Sequence, residues 1–199
     1  LYFIGLLVRS YRWSVLLRPV EHVSARKLVG IKPEYNPKAL GLFLSAYCVL
    51  YKKDPKPEYR QRIDEFIQLI HQFESKGYSG ACWGYNFDWE SRAFFQPKFT
   101  PTIVASSFIA NALMDAYEIT GDEKLLTTAR STCDFILKDL NRTHDAAGNY
   151  AFSYSPLDNS VVFNASLLGA RLLARVYSHT KETSLISESK KAVAFCVNY

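Results

Sequence analysis

The sequence predicts an all-α fold built from three helical hairpins. Two observations carry that expectation. A cap, an apolar stripe and a turn recur three times from residue 36 onward, and in each recurrence the apolar positions follow helical rather than alternating spacing. The composition, 48% apolar and 22% charged over 199 residues, is that of an ordinary globular domain with one sizeable core. Disordered, collagen-like and disulfide-scaffold classes are thereby excluded.

Residues 1–35 read as a separate basic amphipathic segment. Arg9, Arg12, Arg18, Arg26, Lys27 and Lys32 face only Glu21 in the first 32 residues, so this stretch carries the whole net charge of +5. Phosphate binding needs cations distributed along a groove, and no nucleic-acid partner is expected. The apolar run at 1–8 is too short to cross a bilayer, which takes about 20 residues. Its arginines follow it, unlike those of a secretory signal, and the start at Leu1 reads as a truncation. Two readings stand. The segment is a first helix packed on the domain body with its arginines in water, or residues 1–20 make peripheral membrane contact, with Tyr2, Tyr11 and Trp13 at the boundary.

The domain proper is predicted to span 36–199. Asn36 and Pro37 supply an N-cap and a first-turn proline for a helix running to Tyr51. Its partner is predicted over 58–74, with Tyr59, Ile63, Phe66, Ile67 and Ile70 on one face. Thr100 and Pro101 repeat the start, a helix follows from 103 to 117, and Thr120-Gly121 stops it. Asp122 opens a partner reaching Leu140. The third hairpin is predicted over 159–177 and 183–197, broken near Thr180. The second and third copies align at an offset of 60 without a gap, Tyr117 on Tyr177 and Phe135 on Phe195; the first aligns with the second at 66, Tyr51 on Tyr117.

Cys48, Cys82, Cys133 and Cys196 show no C-x-x-C and no His at ligand spacing, so no metal and no cofactor is expected. Cys48, Cys133 and Cys196 fall in helical apolar patterns and read as reduced core residues. That favours a cytoplasmic location, with the inner face of the membrane as the alternative. Nucleotide, dinucleotide and α/β-hydrolase motifs do not occur.

The loops between hairpins are long and aromatic. Residues 76–100 hold Trp83, Tyr85, Phe87, Trp89, Phe94, Phe95 and Phe99, and residues 141–158 hold Tyr150, Phe152 and Tyr154. Long loops inside a compact domain are usually functional.

The recurring unit ALMDAYEITGDEKLL at 112–126, a helix, a Thr-Gly-Asp turn and a second helix, resembles the α/α-toroid superfamily. That group includes six-hairpin glycosidases, sugar and uronate epimerases, polysaccharide lyases, terpenoid cyclases and protein prenyltransferases. The run CWGYNFDWESR at 82–92, followed by Thr100 to Thr102, is similar to inner-loop sequences of uncharacterised bacterial toroids linked to polysaccharide genes. A closed toroid has five to seven hairpins; three complete ones imply an incomplete barrel, a fragment of a longer toroid or a short member. The resemblance implies inner helices lining a cavity and rim loops shaping a cleft.

On that architecture the candidate catalytic residues are Asp88, Glu90 and Asp158, since glycoside hydrolysis needs two carboxylates about the scissile bond. Trp83, Tyr85, Trp89, Arg92, Lys98, Thr102, Tyr154 and Asn164 are the candidate substrate-binding residues, rings stacking on a sugar's C–H face and polar groups meeting its hydroxyls or carboxylate. Each has a structural alternative: the tryptophans as loop anchors, Arg92 as an ion-pair partner of Asp88 or Glu90, Asp158 with Asn159 as an N-cap. His144 is the only histidine placed at the rim, and a surface turn is the plainer reading for it.

The implied function is a carbohydrate-active protein, of hydrolase, epimerase or lyase type, acting on an oligosaccharide or polysaccharide intermediate. The alternatives are a non-catalytic module binding a glycan or protein in polysaccharide assembly and, more weakly, a terpenoid-cyclase or prenyltransferase-like protein. The sequence lacks that last branch's zinc ligands and Asp-rich motif.

Overall fold

The computed structural model describes residues 33–90 and 95–199. The predicted basic segment up to residue 32, the membrane reading attached to 1–20, and Arg92 lie outside the described residues. The body at Tyr35–Tyr199 holds α1 (Pro37–Lys53), α2 (Pro57–Gln72), α3 (Ile103–Thr120), α4 (Glu123–Lys138), α5 (Phe163–Thr180) and α6 (Thr183–Asn198). The hairpins are where the repeat predicts them. Two short antiparallel pairs, absent from the sequence expectation, stiffen the loops: β1 (Trp89–Glu90) with β2 (Phe95–Gln96), and β3 (Arg142–His144) with β4 (Tyr150–Phe152).

The helix starts follow side-chain chemistry. Asn36 accepts from the Ala39 N–H at 3.3 Å and Thr102 from the Ala105 N–H at 3.1 Å, 66 residues on. Val162 holds the same place in the third copy and offers no side-chain cap. The third hairpin therefore starts at Phe163 rather than at the predicted Asn159, because Asp158 spends its oxygens holding residues 154–160 in a turn.

Helix ends repeat as closely. The Gly121 N–H reaches Tyr117 O and the Lys181 N–H reaches Tyr177 O, each at 2.8 Å, and both residues are left-handed, at φ 69° and 61°. Glycine takes that conformation without penalty and lysine does not. Lys181→Gly is expected to raise stability by about 0.5–1 kcal/mol, read as a later midpoint in chemical denaturation.

Helices α1, α3 and α5 lie side by side with α3 in the middle, and each of α2, α4 and α6 packs on its own hairpin partner. Small residues on α3, among them Ala105, Ser106, Ala110, Ala112 and Ala116, are buried and let both neighbours approach. Two apolar clusters meet at α3. One gathers Leu40, Leu44, Ile63, Ile70 and Trp83; the other gathers Phe135, Ile136, Phe152, Leu172 and Leu173.

A polar staple ties the inner row together. Arg175 donates to Asp115 at 2.6 Å and to Glu118 at 2.7 Å, Ser45 donates to the other Asp115 oxygen, and Lys52 reaches Glu118. All four cysteines are free. Burial, followed by the Asp115 carboxylate, pushes the Cys48 thiol up to about 12, and burial pushes Cys82 and Cys133 up as well. These three are inert core thiols. Cys196, predicted to be core, is only partly buried, because α6 turns that side outward.

Candidate functional site

The 75–102 loop is locked to the helix layer by backbone and core contacts. Trp83 is 0% exposed. Its Nε1–H donates to Ile70 O at 2.8 Å and its backbone N–H to Ser106 Oγ at 3.0 Å, while its carbonyl accepts from the Thr102 N–H. Phe152 in the second loop is anchored the same way by Ser166, 60 residues after Ser106, its N–H donating at 3.1 Å. Gly84 bridges Pro101 so closely that a Cβ there would stand 2.1 Å from Thr100 O. Phe99, exposed, sits at φ 62° and donates its N–H to Tyr85 O. A left-handed aromatic residue is uncommon and marks a backbone held by its surroundings.

From this anchor the chain presents a run of rings. Tyr85 stacks on Phe87 at 5.4 Å and meets Trp89 edge-on at 5.6 Å; Trp89 in turn packs on Tyr154 at 5.6 Å. The Tyr85 and Tyr154 hydroxyls are hydrogen-bonded to each other. Burial raises the pKa of both, the Tyr85 contact raises Tyr154 further, and the Tyr154 contact partly offsets the rise in Tyr85, so both phenols stay protonated at neutral pH. Asn36, Lys38, Tyr85, Phe87 and Trp89 line a cleft of about 300 Å³ at the start of α1. Lys38 Nζ lies 5.0 Å from the centroid of the Phe108 ring.

The two loops are clamped through Gln96, which is 2% exposed and pairs with Trp89 across the β1–β2 ladder. Its amide donates to Ser155 Oγ at 2.7 Å and to Asp158 Oδ2 at 3.3 Å. Trp89 is thereby fixed against Tyr154.

A larger hollow of about 420 Å³ lies between the 74–81 loop and α4. Four of its hydroxyl side chains are engaged: Thr127 and Thr128 donate to carbonyls of their own helix, Ser75 donates to Phe99 O, and Ser131 accepts from the Ala81 N–H. The larger hollow has one ring, Tyr78, and its Lys76 is paired with Glu74. The smaller cleft, with three rings and a lysine that has no acidic partner among the described residues, is the better candidate.

Of the residues singled out from sequence, Tyr85 and Trp89 line the cleft and Tyr154 backs Trp89. The others stand elsewhere. Trp83 is a core anchor, too buried to stack on a ligand, and Thr102 is a fully buried helix cap. Lys98 is exposed and gives its backbone N–H to Asp88 at 2.8 Å. Glu90 and Asn164 are exposed and neither lines the cleft. Asp158 accepts six hydrogen bonds, from the Tyr154, Ser155 and Ser160 N–H groups, both serine hydroxyls and Gln96. Burial pushes its pKa up, but the bonds from Ser155, Ser160 and Tyr154 outweigh it and hold the carboxyl below its ordinary range. Asp145 collects the N–H groups of Ala147 and Asn149, so His144 stands beside a tight turn and packs on Tyr150.

Sequence reasoning missed Lys38, Phe87 and Gln96 as site residues. Lys38 carried a signal. A cation in the first turn opposes its own helix dipole, and α1 has no acidic residue there to compensate.

Residues 10–193 match the family described as Beta-L-arabinofuranosidase, GH127 catalytic domain. The chain belongs to this GH127 family. No curated protein matches it in sequence. Among solved structures it is similar to cellobiose 2-epimerase from Bacillus thermoamylovorans, with a TM-score of 0.59 and 15% identity over 80% of this chain and 43% of that one. A GH76 α-mannanase from Bacteroides thetaiotaomicron gives 0.60 and 18% over 82% and 44%. A D-mannose isomerase gives 0.56 and 18% over 79% and 40%. These likenesses establish the fold, an α/α toroid, incomplete here. The chain spans about two-fifths of the length of each of these structures.

Proposed function

We propose that this GH127-family chain supplies a saccharide-binding surface to a carbohydrate-active protein, with a sugar ring seated on Trp89 and Tyr85 in the rim cleft. The observation that carries the reading is the ring cluster of Tyr85, Phe87, Trp89 and Tyr154 facing and backing a cleft edged by Asn36 and Lys38. Pyranose and furanose rings offer apolar C–H faces that stack on aromatic rings, while their hydroxyls need donors and acceptors close by. Asn36 uses its Oδ1 on the helix cap, which leaves its amide N–H groups for a ligand. The family description and the names of the similar structures, an epimerase, an isomerase and a mannanase, support a sugar as the occupant.

Binding is the role this surface supports best. Hydrolysis needs one carboxyl free to give a proton and another free to attack or to activate water. Asp158 is committed to its loop, and Asp88 and Glu90 are not among the residues lining the cleft.

The test is calorimetric titration with β-L-arabinofuranosides, cellobiose and mannobiose. Trp89→Ala is expected to weaken the best ligand at least about tenfold, the loss of a stacked ring. Asp88→Asn and Glu90→Gln should bind as the parent does. Unchanged affinity in Trp89→Ala, or no saccharide bound by the parent, would refute the reading. Reducing-sugar release that Asp88→Asn or Glu90→Gln abolishes would instead give this loop the acid–base role.

A further inference from the structure

The cleft has an electrostatic character that its rings do not explain. Among the described residues that line it, Lys38 is the one that is charged; Asn36, Tyr85, Phe87 and Trp89 are neutral, and none of these contributes a carboxylate to the wall. Among the described residues Lys38 has no acidic partner, and its neighbour is the face of Phe108. Of the other cations on the inner row, Lys52 and Arg175 are paired with Glu118 and Asp115, while Lys53 and Arg171 stand exposed away from the cleft lining. Lys38 also stands in the first turn of a 17-residue helix with no acidic residue beside it, where a positive charge is unfavourable to the helix itself. Helix stability therefore does not account for a lysine there, and departures from local preference concentrate where a ligand is met.

We infer that the saccharide bound in this cleft is anionic, with a carboxylate or phosphate group on the sugar seated against the Lys38 ammonium while the ring stacks on Trp89. The inference rests on the saccharide reading above and adds the charge. A neutral sugar would leave the ammonium partly shielded from water without a partner. An anionic substituent supplies a charge-assisted hydrogen bond there and also offsets the unfavourable end of α1.

The experiment uses matched probes: the methyl glycosides of glucose, galactose and mannose, with their uronates, uronate methyl esters and 6-phosphates. In at least one series the uronate or the 6-phosphate is expected to bind about tenfold more tightly than the neutral parent, with the advantage shrinking as salt rises. The two anionic arms separate carboxylate from phosphate. Lys38→Met should erase the advantage, so that the anionic and neutral members of a series bind alike, and Lys38→Arg should keep most of it. Neutral sugars binding as well as anionic ones in every series, or a preference that survives Lys38→Met, overturns the inference and leaves the saccharide reading standing. Failure of every probe, charged or neutral, overturns both.

Discussion

Trp83→Ala is expected to lower stability by about 3–5 kcal/mol, the range for removing a fully buried indole. Three losses combine. A large cavity opens between α2 and α3, where Trp83 packs with Ile70, Ile109 and Leu113. The Ile70 carbonyl, which accepts the indole N–H at 2.8 Å, loses its partner in a buried place. The loop that positions Tyr85 and Trp89 loses its anchor. Trp83→Phe separates the first two, since it fills most of the volume but still orphans Ile70 O, and should fall between parent and alanine. Urea denaturation reads both. Trp89→Ala is the contrast: that ring is half-buried at the cleft, so affinity should fall far more than stability. If Trp83→Ala unfolds at the parent's midpoint, the anchoring role is wrong.

Asp158→Asn carries the second large effect, about 2–4 kcal/mol at neutral pH, because one carboxylate serves six donors and charged acceptors make the stronger bonds. Asparagine replaces one accepting oxygen with an NH₂ group that faces donors. The change should also show in pH dependence. The folded Asp158 carboxyl is held below its ordinary range despite its burial, so the unfolded chain binds the proton more tightly. Its contribution is complete above about pH 5 and is lost as pH falls through the lowered folded value. Glu118, held down by Lys52 and Arg175, has the same sign. So does Glu188, where burial opposes and Lys191, Tyr150 and Arg142 prevail. The parent should therefore lose stability between about pH 5 and 3, and Asp158→Asn should start lower and lose less. A variant as acid-sensitive as the parent would remove Asp158 from this account. The same variant should loosen the Gln96 clamp and weaken saccharide binding without touching the ligand.

The hairpins were legible because their punctuation is local. Asn36 and Thr102 cap with their own side chains, Gly121 takes a left-handed turn, and the apolar spacing sets which face is buried; none of these needs a distant partner. Where the local signal fails, so does the reading. Val162 has no cap to offer, and the third hairpin begins four residues later than its sequence suggests. The candidate site was legible by residue type and not by role. Trp83 and Trp89 are six residues apart in one aromatic run, yet one is a core anchor and the other lines the cleft. Composition cannot tell them apart, because the difference lies in what the rest of the chain places over each ring. Asp158 carries the same lesson: an acid on a rim loop looks catalytic until its serines are seen to close on it.

Repeat, helix class and helix ends are thus written in the linear chain, since each depends on neighbours within about a turn. Which aromatic faces outward, which carboxylate is already committed, and that Lys38 lines one cleft with the 85–89 loop are properties of long-range packing. They come from contacts such as Gln96 with Ser155 and Trp83 with Ile70, 59 and 13 residues apart, which exist only once the helices have stacked and brought the two loops to the same rim.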